Sequence, residues 1–197
     1  MTSTLTRIQN WYKTNCNSDW EHSYGISICT LDNPGWTIKI NLQETSLENL
    51  NFDRTFQNNG NTHDWFFIKS ENGVLNISCG PDNLEQVLKI FLDEIISEHS
   101  DNGFLYEIYL PMTGYKYDIW RPASGKLINE GEIKLTEIPE INFKEIKVTD
   151  IEAIDFDQKT LERLETIYKV GDIVSTDIQA VFDGLILTVK KEKLAIT

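Results

Sequence analysis

Cysteine is scarce: Cys16, Cys29 and Cys79 are all that a chain of 197 residues contains. Their odd number and the absence of any CxxC-like spacing argue against a disulfide framework and a thiolate metal site. Long apolar runs are missing too, since no stretch of about 18 apolar residues occurs that could span a membrane as a helix. The opening "MTSTLTRIQNWYKTN" lacks the apolar core and cleavage site of a secretory signal. A reduced cytosol is the expected compartment. Basic charge is in deficit, with 18 Lys and Arg against 31 Asp and Glu and a net charge of −13. Residues 1–100 carry 13 acidic and 6 basic side chains and residues 101–197 carry 18 and 12, so both halves are acidic. Such a field repels phosphate, which disfavours nucleic acid and anionic lipid as partners and favours a basic protein. The phosphate-loop, dinucleotide, nucleophile-elbow and HExxH patterns are also absent, and "SGKL" at Ser124–Leu127 lacks the upstream glycine of a phosphate loop.

What is present is ordinary globular composition, 40% apolar and 11% aromatic, enough for one large domain or two of about 100 residues. "TLTRIQNWYKT" sets Leu5, Ile8, Trp11 and Tyr12 at helical spacing behind Thr4 as a cap. "SYGISICTLDNPGWTIKINL" reads as two strands, the second alternating Trp36, Ile38, Ile40 and Leu42 with polar residues. Asn33-Pro34-Gly35-Trp36 fits a type II turn between them, with Gly35 taking the positive φ. "DWFFIKSENGVLNISCG" is a second hairpin around Asn72-Gly73, the pair suited to a type I′ turn. In "GPDNLEQVLKIFLDEIISE", Leu84, Val87, Leu88, Phe91, Leu92, Ile95 and Ile96 form one helical stripe, with Asp82 and Glu85 spaced as a capping box. That helix must cover a sheet. The polar "SEHSDNG" suggests a boundary near residue 101, giving α+β modules at 1–101 and 102–197. The second module adds "FLYEIYL", "GKLINEGEIKLTEI", a helix near "DQKTLERLETIY" with Leu161, Leu164 and Ile167 on one side, and a closing strand pair in "IQAVFDGLILTVKKEKLAI".

The densest chemistry lies in Asp19-Trp20-Glu21-His22 and in Asp32-Asn33-Pro34-Gly35-Trp36. In an extended segment, Asp19 and Glu21 point to one face and Trp20 and His22 to the other. Glu21 and His22 then do not converge on one ion, and His63 and His99 are the only other imidazoles. Neither a metal nor a cofactor is expected. Two carboxylates on one strand lie on one wall of a cleft, which is the wrong arrangement for glycoside hydrolysis. Cys79, just before a helix, has the placement of a rhodanese-type sulfurtransferase nucleophile, the alternative function. Its neighbours Asp82 and Glu85 oppose a thiolate, and a small buried residue closing a strand is the plainer reading. Recognition remains: Trp20, Tyr24 and Trp36, flanked by Asp19, Glu21, Asp32 and Asp64, have the make-up of an interface that steers a cationic partner. The competing reading is that Trp20 and Trp36 are core, with His22, Asp19 and Asp32 satisfying backbone groups.

The ordered run "NWY…C…DWEH.YGI.I.TLDNPGW", followed by "DWFFIK" and "GPDNLEQVLKIFLDEI", resembles the immunity protein 53 family of bacterial polymorphic-toxin systems over about Leu5 to Ile96. The resemblance implies an antitoxin-like protein that binds and neutralises a cognate toxin in the cytoplasm of the producing cell; some members carry the label of rhodanese-related sulfurtransferase, which the acidic neighbours of Cys79 oppose, so no enzyme is expected. The family pattern falls on Trp11, Tyr12, Cys16, Asp19, Trp20, Glu21, His22, Tyr24, Gly25, Thr30, Leu31, Asp32, Asn33, Pro34, Gly35, Trp36, Asp64, Trp65, Gly80 and Pro81. Where related sequences read Cys-Asp-Gly-Asp-Trp, this one has Cys16-Asn17-Ser18-Asp19-Trp20, losing one acid and a glycine. Many toxin domains of such systems are basic nucleases, which an acidic inhibitor engages by mimicking substrate charge. The residues expected to contact the toxin are Asp19, Trp20, Glu21, His22, Tyr24, Asp32, Asn33, Trp36 and Asp64.

Overall fold

The computed structural model describes residues 2–113, 118–140, 146–148, 164–181 and 184–190. The chain folds as two compact units, Met1–Tyr12 with Trp20–Phe104, and Lys13–Asp19 with Leu105–Thr197. Both helices and antiparallel sheets are present, and the class is α+β.

Unit 1 is built on a five-stranded antiparallel sheet. Helix α1 (Thr4–Asn15) and a single turn α2 (Trp20–Ser23) lead into strands β1 (Ile26–Thr30) and β2 (Trp36–Asn41). Strand β3 (Asp53–Gln57) and the hairpin of β4 (Trp65–Glu71) and β5 (Val74–Cys79) follow. The strand order is β1-β2-β5-β4-β3. β2 and β5 sit at the centre because both alternate strictly: Ile38 faces Ile77 and Ile40 faces Leu75, all four fully buried on one face. Against that face packs a continuous helix, α3 (Leu84–Lys89), a π-helical segment (Ile90–Ile95) and α4 (Ile96–His99). The wider π turn brings Ile90 onto the buried side beside Phe91, Leu92 and Ile95, which a strict helical stripe omits. Asn72 and Gly73 take φ of 53° and 70°, as the type I′ turn between β4 and β5 requires.

Several local expectations are corrected. Ser3, not Thr4, caps α1: its hydroxyl accepts from the Thr6 N–H at 3.2 Å. The Asp19–His22 segment is not extended, because Trp20–Ser23 closes a helical turn, so the alternation drawn from a strand does not apply. Gly35 is not in the left-handed region, which removes the type II turn. It is glycine for another reason: a Cβ there would lie 2.5 Å from the Cys79 carbonyl oxygen. Asp82 and Glu85 form no capping box. The helix starts from Asn83, whose side chain makes no cap hydrogen bond, and Glu85 instead accepts from the Thr4 hydroxyl. Strand β3 was hidden by its charges and exposure, since Asp53 and Arg54 interrupt any apolar alternation.

Unit 2 is a mixed sheet of β6 (Tyr106–Met112), β7 (Ile119–Asn129), β8 (Glu132–Glu137), β9 (Lys147–Val148), β10 (Ile173–Val181) and β11 (Gly184–Val189). The order is β6-β11-β10-β8-β7-β9, and β6 also pairs with β7 from Tyr106↔Gly125 to Met112↔Ile119. That last pairing closes five strands into a ring, which removes their free edges. Tyr109, Trp120 and Ile186 form a buried apolar cluster in this unit. Most of the helix expected at 157–168 lies outside the described residues. Its described end is not helical: Glu165 bridges Thr113 as a strand pair, and Ile167 is 75% exposed.

Candidate functional site

Within unit 1, the family-pattern residues from Trp20 to Pro81 gather at two ends of the sheet. At one end, β2 begins, β5 finishes and β4 begins, with Trp36 opposite Cys79 and Cys79 opposite Phe66. Here the Asp32–Trp36 turn, Asp64-Trp65 and Gly80-Pro81 are knit together. The Trp36 indole N–H donates to the Pro81 carbonyl at 3.0 Å, and the Gly80 N–H donates to the Trp65 carbonyl at 2.9 Å. A Cβ at Gly80 would collide with the His63 carbonyl, so this crossing of backbones admits glycine alone. Asn83, 5% exposed, ties the rest: its amide nitrogen donates to Asp64 Oδ1 at 2.8 Å and to Gln86 Oε1 at 2.7 Å, while its oxygen accepts from the Trp65 N–H at 3.2 Å. Asp64 also accepts from the Asn58 side chain at 3.0 Å. The Asn58 and Asn83 amides hold its carboxyl below the usual aspartate range, while burial opposes them weakly. Asp32, Asn33 and Pro34 are exposed, and Trp36 and Asp64 are half-buried. Trp65 and Phe67 lie with ring centroids 5.5 Å apart, Phe67 being 46% exposed.

Trp20-Glu21-His22 and Tyr24 stand at the opposite end, where β2 finishes, while Asp19 belongs to unit 2. The two motifs, which the sequence suggested as one acid-flanked cluster, are separated by the length of β1 and β2, about 17 Å at strand rise. Trp20 is fully buried and its indole N–H donates to the Gln43 carbonyl at 2.9 Å. It meets Trp11 edge-on at 5.9 Å, and Trp11 meets Phe91 at 5.1 Å, so the indole locks α1 and α2 to the covering helix. Trp20 presents no surface to a partner, which corrects its expected role as a direct anchor. Asp19 and His22 are exposed, while Glu21 and Tyr24 are half-buried, the Tyr24 hydroxyl reaching Glu44 at 3.5 Å.

Asn83 and the Trp65–Phe67 pair were missed in the sequence. Asn83 had a visible signal, an Asn directly before the helical stripe, which the Asp82–Glu85 spacing obscured.

Cys79 lacks the setting of a nucleophile. It is fully buried, and burial pushes its thiol up to about 11, outweighing a backbone hydrogen bond from Trp36 that acts the other way. An open groove of about 620 Å³ between the covering helix and the β3–β4 edge contains none of the predicted residues. Its two cations are already paired, Arg54 with Glu94 at 2.6 Å and Lys89 with Glu85 at 2.9 Å. Among the described residues, no group of three or more His, Cys, Asp or Glu could hold a metal ion, and no helix is long and apolar enough to cross a membrane.

Unit 1 is thus a helix-backed antiparallel sheet whose pattern residues from Trp20 to Pro81 join loops at two sheet ends. Residues 5–95 match the family model described as immunity protein 53. That match covers the N-terminal part of the chain and supports an immunity role with a cognate toxin as partner. No curated protein and no solved structure matches the chain.

Proposed function

We propose that the protein is a cytoplasmic bacterial immunity protein whose N-terminal domain neutralises a toxin by binding it, with no chemistry of its own. The family match over residues 5–95 carries this reading. The contacts fall to the exposed and half-exposed pattern residues: Asp32, Asn33, Trp36 and Asp64 at one end of the unit 1 sheet, Glu21, His22 and Tyr24 at the other, and Asp19 in unit 2. Trp20 acts from inside, holding the second group in place. The toxin is a basic, nuclease-like domain, because a protein of net charge −13 attracts a phosphate-binding surface and repels phosphate.

Protection of cells expressing the cognate toxin domain tests the reading. Asp32→Lys, on an exposed turn, is expected to weaken protection at unchanged protein level, while Cys79→Ser leaves it intact. Loss of protection with Cys79→Ser in a folded protein, and none with Asp32→Lys, would favour an enzyme.

A further inference from the structure

Strand β1 runs between the two motif groups, entered from Trp20–Ser23 and left through the Asp32–Trp36 turn. It lies at the edge of the sheet, and among the described residues its sole strand partner is β2. Its sequence, Ile26-Ser27-Ile28-Cys29-Thr30, carries no charge and no proline, and residues 27–30 are exposed, Ile28 by 41%. Sheet edges are normally protected from foreign strands by charge, proline or closure. Unit 2 uses closure, and the other edge of this sheet, β3, carries Asp53 and Arg54, the latter paired with Glu94 at 2.6 Å. β1 has none of these guards.

The hydrogen-bond phase of β1 fixes which groups are free to pair. Asn41 N–H donates to the Gly25 carbonyl at 3.0 Å, and Leu31 N–H donates to the Gly35 carbonyl at 3.0 Å. In an antiparallel pair such bonded positions recur every second residue, so Ser27 and Cys29 also face β2. The backbone N–H and C=O groups of Ile26, Ile28 and Thr30 therefore point away from the sheet, a row of three donors and three acceptors. Their side chains share the face of Ile40, Ile38 and Trp36 opposite them.

Resting on the toxin-binding reading above, we propose that β1 accepts an extended segment of the toxin as a sixth strand of the sheet, with main-chain bonds at Ile26, Ile28 and Thr30. The occupant is a strand with apolar residues opposite Ile28 and cationic residues beyond its ends, where exposed Asp32 and half-buried Glu21 flank β1. A second copy of this chain fits poorly: it brings another −13 to the same edge, and a five-residue strand pair alone falls short of the roughly 1,000 Å² that a stable interface buries. A strand docked here would touch both motif groups at once, which neither group achieves alone.

The test is residue-resolved amide exchange with and without the cognate toxin domain, inactivated for handling. Bound toxin is expected to slow exchange at Ile26, Ile28 and Thr30 while leaving Ser27 and Cys29, already bonded to β2, nearly unchanged. Ile28→Pro deletes one outward N–H without touching a β1–β2 bond, as edge strands tolerate, and is expected to weaken binding about tenfold. Ile28→Lys provides a second variant should the proline alter folding, with the same expected direction. A complex in which those three amides exchange as before and both variants bind normally overturns the added strand and leaves the immunity reading standing. No complex with the unaltered protein overturns both. Protection of the same amides by raising the protein's own concentration, without toxin, would assign the edge to a second copy and overturn the proposal.

Discussion

At Gly35 and Gly80 the side chain is absent because backbone occupies its place. Gly35→Ala would set a Cβ 2.5 Å from the Cys79 carbonyl, forcing the turn off β5. The expected cost is about 1–3 kcal/mol, read as a lower urea midpoint with an unchanged slope. Asp64 offers a cleaner electrostatic test. Its folded pKa lies below its unfolded value because amides of Asn58 and Asn83 bond the charged form. The stabilising contribution is therefore complete above the ordinary aspartate pKa of about 3.9 and is lost as the pH falls through the lower folded value. Asn58→Ala is expected to raise the Asp64 pKa toward the ordinary range in a carboxyl titration followed by NMR. An unmoved titration would show that Asn58 does not hold the carboxylate. None of this was legible in the sequence: Gly35 looked like a turn residue, and the contact that requires glycine comes from Cys79, 44 positions away (79 − 35).

Elements were legible where a period of two or 3.6 ran uninterrupted. β2, the β4–β5 hairpin and the long helix all follow from alternation or stripe, and Asn72-Gly73 specified its turn. The failures share a cause, that tertiary contacts decided what local pattern left open. α2 is a helical turn because Trp20 is drawn between Trp11 and the Gln43 carbonyl, and β3 is a strand because β4 offers an edge to pair with. The helix start illustrates the same point and is testable. Asp82 is exposed and makes no cap, so Asp82→Ala should leave stability nearly unchanged, whereas a true cap residue costs about 1 kcal/mol. Asn83→Ala strands the Trp65 N–H and two acceptors, with an expected loss of about 1–3 kcal/mol. Equal losses from the two variants in chemical denaturation would restore the capping box.

For the whole molecule, charge was readable at once, and family likeness came from an ordered run of residues that the fold then divided between two sheet ends. The sequence placed Trp20, Tyr24 and Trp36 in one patch because they are near in the chain; a strand's length separates them because β1 and β2 are antiparallel and the motifs sit at opposite termini. An acidic, toxin-neutralising domain makes one demand that a catalytic or purely structural reading does not, that association depend on ionic strength. Calorimetric titration of the cognate toxin domain, at about 50 mM and about 500 mM salt, tests it most directly. The predicted result is a tight complex whose Kd rises by about tenfold or more at the higher salt, with Asp32→Lys reproducing much of that loss at low salt. An affinity indifferent to salt and to Asp32→Lys, or no heat of binding at either salt, would contradict it.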